Sequence, residues 1–142
     1  MKKLTKTTRS KGEILVWETF PDWEYEPTKI WYETPYIPDF VTPRGTLIEY
    51  KEFLDREQFR RLKYVAQHCA KNKMLFIVLV LDGNFKDRWP KKGRHMVAAL
   101  EREGIRAHVF GPNSAQKASA YIKEQEDRME GIKALYASDS KG

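Results

Sequence analysis

The sequence predicts an α/β domain in which a mixed β-sheet is flanked by helices. Three observations predict it. A continuous apolar run at residues 74–81 reads as a strand covered on both faces. After it, helical and extended patterns alternate, which implies crossover connections and parallel pairing. Before it, two extended segments are joined by Thr42-Pro43-Arg44-Gly45, where Pro sets φ and Gly accepts a positive φ, so they fold back as an antiparallel hairpin.

Taken in order, residues 1–9 are polar and basic and read as a flexible arm. Ser10-Lys11-Gly12-Glu13 has the S-x-x-E form of a capping box. Ile14, Leu15, Val16, Trp17 and Phe20 follow on a short helix that Pro21-Asp22 ends. Residues 23–32 read as extended, interrupted at Pro27, and Thr34-Pro35 is a break. Tyr36–Val41 and Thr46–Lys51 are the two hairpin strands. Asp55 caps a helix over about residues 55–71, whose apolar face is Phe59, Leu62, Val65, Ala66 and Cys69. Residues 82–91 form a loop, and Lys92–Glu103 form a helix closed by Gly104. Ile105–Phe110 is a strand, and Ser114 caps a last helix through about Ala137. The expected order is helix, three strands, helix, strand, helix, strand, helix. One domain spans residues 1–142: arm 1–9, core 10–110, carboxyl-terminal helix 111–137 and a frayed tail 138–142.

Composition narrows the function classes. The chain has 142 residues, 41% hydrophobic and 13% aromatic, enough to build a core and unlike a disordered chain. A single cysteine, Cys69, excludes an internal disulfide and a multi-cysteine zinc site, and its amphipathic setting reads as core packing. The net charge of +6 favours a polyanionic partner. The longest apolar run is too short to cross a membrane, and no apolar stretch follows the basic amino terminus, so a soluble cytoplasmic protein is expected. His68, His95 and His108 lack metal-ligand spacing, and neither a phosphate-binding GxxxxGK[ST] loop nor a GxSxG elbow is present.

The chemistry lies in the hairpin. Pro38-Asp39-Phe40 is followed, nine residues after Asp39, by Glu49-Tyr50-Lys51. Alternate side chains of a strand share a face, so Glu49 and Lys51 project together, roughly 6.7 Å apart along the strand. Ile48 and Tyr50 face the packing on the other side. The turn carries Asp39 back beside Glu49. Two adjacent carboxylates repel each other and favour a cation between them. Mg²⁺ suits such a site, with Mn²⁺ as a substitute, because it takes oxygen ligands and keeps several waters. The Tyr50 carbonyl is a further candidate ligand. Lys51 is placed to orient water and to offset charge on a pentacovalent phosphate. The bland alternative is a hairpin whose charges merely face water.

Further segments share the order of a known family: Arg9-Ser10-Lys11-Gly12-Glu13, Trp23-Glu24-Tyr25-Glu26, Tyr36-Ile37-Pro38-Asp39-Phe40, Pro43-Arg44-Gly45 and Ile48-Glu49-Tyr50-Lys51. Over about residues 8–65 the chain resembles the phage endonuclease I group of Holliday-junction resolvases, within the PD-(D/E)xK nuclease superfamily. Glu52 departs from the glycine that often follows the motif lysine. The resemblance implies a restriction-endonuclease-like core and a Mg²⁺-dependent endonuclease acting on DNA, branched DNA included. It implies Asp39 and Glu49 as central metal ligands, Glu13 as a further acidic ligand and Lys51 as the catalytic lysine. It also implies a possible homodimer and the cytoplasm of a phage-infected or bacterial host cell. By its local sequence, Glu13 is equally explained as a helix cap.

The basic residues supply candidate DNA contacts: Arg9 and Lys11 in the arm, Arg44 on the turn near the site, and Arg56 and Arg60, with Arg61 and Lys63, on the second helix. Lys86, Arg88, Lys91 and Lys92 cluster with Phe85 and Trp89, a mixture that can grip distorted nucleic acid. Each has ordinary solvent exposure as its alternative. Two rival functions remain: a non-specific or nicking nuclease of the same fold, and a non-catalytic DNA-binding or inhibitor protein.

Overall fold

The apolar run ending at Leu81 becomes an inner strand because it presents apolar side chains to both faces of the sheet. In the computed structural model it is Phe76–Leu81, hydrogen-bonded on either side to parallel neighbours. The structure describes residues 10–25, 30–31, 35–83 and 92–141. In chain order the elements are α1 (Lys11–Thr19), β1 (Glu24–Tyr25), β2 (Ile30–Trp31), β3 (Pro35–Tyr36), β4 (Phe40–Val41), β5 (Leu47–Lys51), α2 (Arg56–Lys71), β6 (Phe76–Leu81), α3 (Gly93–Arg102), β7 (Arg106–Phe110) and α4 (Ala115–Lys141).

The main sheet has five strands in the order β1-β4-β5-β6-β7. Its first half is antiparallel, with Phe40 opposite Ile48 and Val41 opposite Leu47. Its second half is parallel, with Glu49 opposite Val78 and Val78 opposite Ala107. This is the mixed sheet flanked by helices that the patterning predicts.

Two layers of core follow from strand alternation. Ile48, Tyr50, Ile77, Leu79 and Phe110 pack with Val16 of α1, with Phe20 just after it, and with Ala118 and Ile122 of α4. Leu47, Val78, Val80 and Ala107 pack with Leu62, Val65 and Cys69 of α2 and with Met96 and Leu100 of α3. Cys69 is buried there, and desolvation pushes its thiol up to about 11, which keeps it a neutral packing group.

Several local expectations are corrected. The single strand expected over 36–41 is broken, because Pro38 lacks the N–H that the ladder needs. Tyr36 instead belongs to β3, which pairs with β2 in a separate two-stranded sheet. The last helix runs to Lys141 rather than ending near Ala137, since no Gly or Pro follows Ala137 before Gly142. Ser114 offers its carbonyl to the Ala118 N–H, but its buried hydroxyl has no hydrogen-bond partner and so does not cap α4. Asp55 does cap α2, in a reciprocal box with Gln58. The basic arm with Arg9, and the loop carrying Lys86, Arg88 and Lys91, lie outside the described residues.

Candidate active site

The site begins with a defect in the ladder. Pro38 would lie opposite Tyr50 on the register set by Phe40 and Ile48. No ladder bond forms there, and the Tyr50 N–H donates instead to the Asp39 side chain, Oδ2, at 2.9 Å. Asp39 thus replaces a missing backbone acceptor. In a strand the N–H and C=O of one residue point to the same edge. The Tyr50 carbonyl therefore faces the Asp39 side as well.

Glu49 is only 5% exposed. Its Oε1 accepts a hydrogen bond of 2.7 Å from the Tyr36 hydroxyl, which is itself buried. Burial pushes the Glu49 carboxyl well above the ordinary carboxylate value, and the Asp39 charge and hydrogen bonding raise it further. The Lys51 charge and the Tyr36 hydrogen bond act the other way. The charges of Asp39 and Lys51 thus both act on the Glu49 carboxyl.

Glu13 stands in the first turn of α1. α1 packs on the Tyr50 layer, across the sheet from the Glu49 face. Ser10 Oγ accepts the Glu13 N–H at 3.1 Å, so the residue pair does open the helix. The Glu13 charge acts on the Tyr50 phenol, which burial and the charges of Glu52 and Glu13 hold above its ordinary value. That phenol packs against Gly12: a Cβ there would overlap the Tyr50 oxygen, so any larger residue forces the phenol to move. Among the described residues no group of three or more His, Cys, Asp and Glu is arranged to hold a metal.

Arg44, expected near the site, stands at the far end of the hairpin. β5 alone spans about 13 Å between the turn and Lys51. Arg44 is engaged by carboxylates of α4, with Nη1 2.9 Å from Asp127 and Nη2 2.7 Å from Glu130. These pairs tie the turn to α4. Gly45, at φ 87°, makes the turn possible. Beneath it, Glu126 of α4 accepts from Thr42 Oγ1 at 2.7 Å and from Thr46 Oγ1 at 2.6 Å.

Arg56 and Lys92 fall at the opposite edge. Parallel strands β5 and β6 end together, so Arg56 at the start of α2 and Lys92 at the cap of α3 begin at the Lys51 end. Lys11 and Arg56 are exposed, and Lys92 is half-buried. Arg60 lies 5.9 Å over the Tyr64 ring, and Lys63 pairs with Glu103 at 3.0 Å.

The chain matches no family model, no curated protein and no solved structure. What the site can do rests on its own chemistry. Two adjacent carboxylates, one of them buried, form a hard oxygen donor set that a divalent cation would relieve of repulsion and desolvation. The residues present fit Mg²⁺ or Mn²⁺, which keep water and substrate oxygens as remaining ligands.

The sequence reading did not find Tyr36 as a partner of Glu49. Their bond spans thirteen positions and crosses from the small sheet to the main one. The available signal was indirect: a glutamate predicted to lie among strands requires a donor, and Tyr36 is the nearest aromatic hydroxyl before Asp39.

Proposed function

We propose that this protein is a Mg²⁺-dependent DNA endonuclease that hydrolyses phosphodiester bonds, with branched DNA as its preferred substrate. The observation that carries the reading is the buried Glu49 carboxyl, on which the charges of Asp39 and Lys51 both act. A hairpin with merely solvated charges would not bury an acid against another acid. The preference for branched DNA rests on the sequence resemblance.

Asp39, Glu49 and the Tyr50 carbonyl would hold the cation. Bound there, it would supply charge neutralisation for the scissile phosphate and a more acidic water. Asp39 is oriented for this by the Tyr50 N–H, and Glu49 by Tyr36. Lys51 projects from the same strand face as Glu49, where its ammonium can bind a non-bridging phosphate oxygen and orient the attacking water. Water would add to phosphorus as the bridging oxygen departs, with no covalent enzyme intermediate. Lys11, Arg56 and Lys92 would hold neighbouring phosphates at the Lys51 edge, with salt-sensitive affinity.

The test is cleavage of plasmid DNA with Mg²⁺, compared with EDTA, for the wild type and Asp39→Ala. The variant should lose cleavage while still binding DNA, and undiminished cutting would refute the site. A four-way junction should be cut faster than a linear duplex with the same arms. Equal rates would remove the branched-DNA preference and leave the nuclease.

A further inference from the structure

We propose that Tyr36 is a positioning residue: its hydroxyl fixes the Glu49 carboxylate in the orientation from which that group takes a divalent cation. The inference rests on the nuclease reading above. Tyr36 Oη donates to Glu49 Oε1 at 2.7 Å, and both side chains are about 5% exposed. A bond between two buried groups is neither screened nor exchanged for water, so it sets a rotamer rather than sampling one. It engages Oε1 of the carboxylate.

The tyrosine is itself held. The Phe76 ring meets it edge-on at 6.3 Å and 81°. The Arg61 guanidinium of α2 lies 6.0 Å over its face. These contacts come from β6 and α2, while Tyr36 comes from β3 of the small sheet. The separate β2–β3 ribbon therefore delivers a donor to a carboxylate of the main sheet. A tyrosine that served only to fill space would need neither its hydroxyl nor this aim. Groups that orient metal-ligating carboxylates typically change metal affinity by about 10- to 100-fold when removed.

Tyr36→Phe removes the hydroxyl and keeps the ring. Mn²⁺ binding, followed by the loss of the free-ion electron paramagnetic resonance signal, would be measured on the full chain for wild type, Tyr36→Phe and Glu49→Gln. We expect Tyr36→Phe to bind Mn²⁺ about 10- to 100-fold more weakly. Its DNA cleavage should fall by a similar factor at low Mg²⁺ and recover at saturating Mg²⁺, a split that lost packing would not produce. Unchanged Mn²⁺ affinity in Tyr36→Phe, with affinity lost in Glu49→Gln, would overturn the positioning role and leave the nuclease reading standing. A wild type that neither binds Mn²⁺ nor cuts DNA would overturn both.

Should Tyr36→Phe fail to fold, wild type and Glu49→Gln labelled with ¹³Cζ-tyrosine provide the second measurement. Tyr50→Phe identifies the other tyrosine beside the site. A remaining tyrosine resonance that shifts with Mg²⁺ in the wild type and not in Glu49→Gln supports the proposal. No such shift overturns it.

Discussion

Two buried glutamates stand at opposite ends of one hairpin, and they are treated differently. Glu126, at the turn, receives two threonine hydroxyls, and Arg44 lies 3.8 Å away. Glu49, at the other end, receives one phenol and faces a second acid. Burying a carboxylate is costly unless donors replace the lost water. At Glu126 the chain supplies those donors and closes the hairpin onto α4. At Glu49 it adds a like charge to the burial, which is a poor way to stabilise a fold and a suitable way to prepare a cation site.

The largest effect should separate the two on activity. Glu49→Gln should lower Mg²⁺-dependent cleavage by about 1,000-fold, the order expected when several kcal/mol of charge stabilisation is removed. Glu126→Gln should leave cleavage within a few-fold at temperatures where it is folded. Comparable losses from both would erase the distinction.

Stability should show the reverse. Glu126→Ala removes the acceptor of two buried hydroxyl donors, with Thr42 Oγ1 still accepting the Thr46 N–H, at a cost of about 2–4 kcal/mol in all, which is roughly 6–14 °C in Tm for a chain of this size. Thermal melts that show no loss would mean that the turn is held elsewhere. Gly12→Ala tests the opposite side of β5. It forces the Tyr50 phenol to move and should cost about 1–3 kcal/mol.

The pH dependence sharpens the comparison. Glu49 is held above its ordinary value of 4.5 in the folded chain, so the folded state keeps its proton where the unfolded state has lost it. That contribution is fully present below pH 4.5 and is lost as pH rises through the elevated folded value. Metal-free protein should therefore become less stable as pH rises over that window. Glu49→Gln should flatten the trend, and Mg²⁺ should restore stability to the wild type alone. Melts at several pH values with EDTA or Mg²⁺ check the sign. The smallest effect is expected at Arg44: Arg44→Ala should lower Tm slightly and leave DNA affinity unchanged, whereas Arg56→Ala should weaken DNA binding and its salt dependence.

Much of this was legible in the order of residues. Periodicity at 55–71, the apolar run ending at Leu81 and the Pro-Gly turn specify the helices, the parallel strands and the hairpin, because each depends on neighbours a few positions away. Alternation put Glu49 with Lys51 and Tyr50 behind them, and the turn put Asp39 beside Glu49. By itself the sequence thus determined which groups share a face of the Thr46–Lys51 strand, the hairpin and the parallel half of the sheet, but not the pairing of β1 with β4 or of β2 with β3. Tertiary structure alone decided that Tyr36 serves Glu49, that Arg44 is taken by Asp127 and Glu130, and that α1 lies on the layer opposite the Glu49 face. The physical reason is range. A strand's period is set by its own backbone, but a buried charge's partner comes from whichever distant segment the packing brings within hydrogen-bond reach.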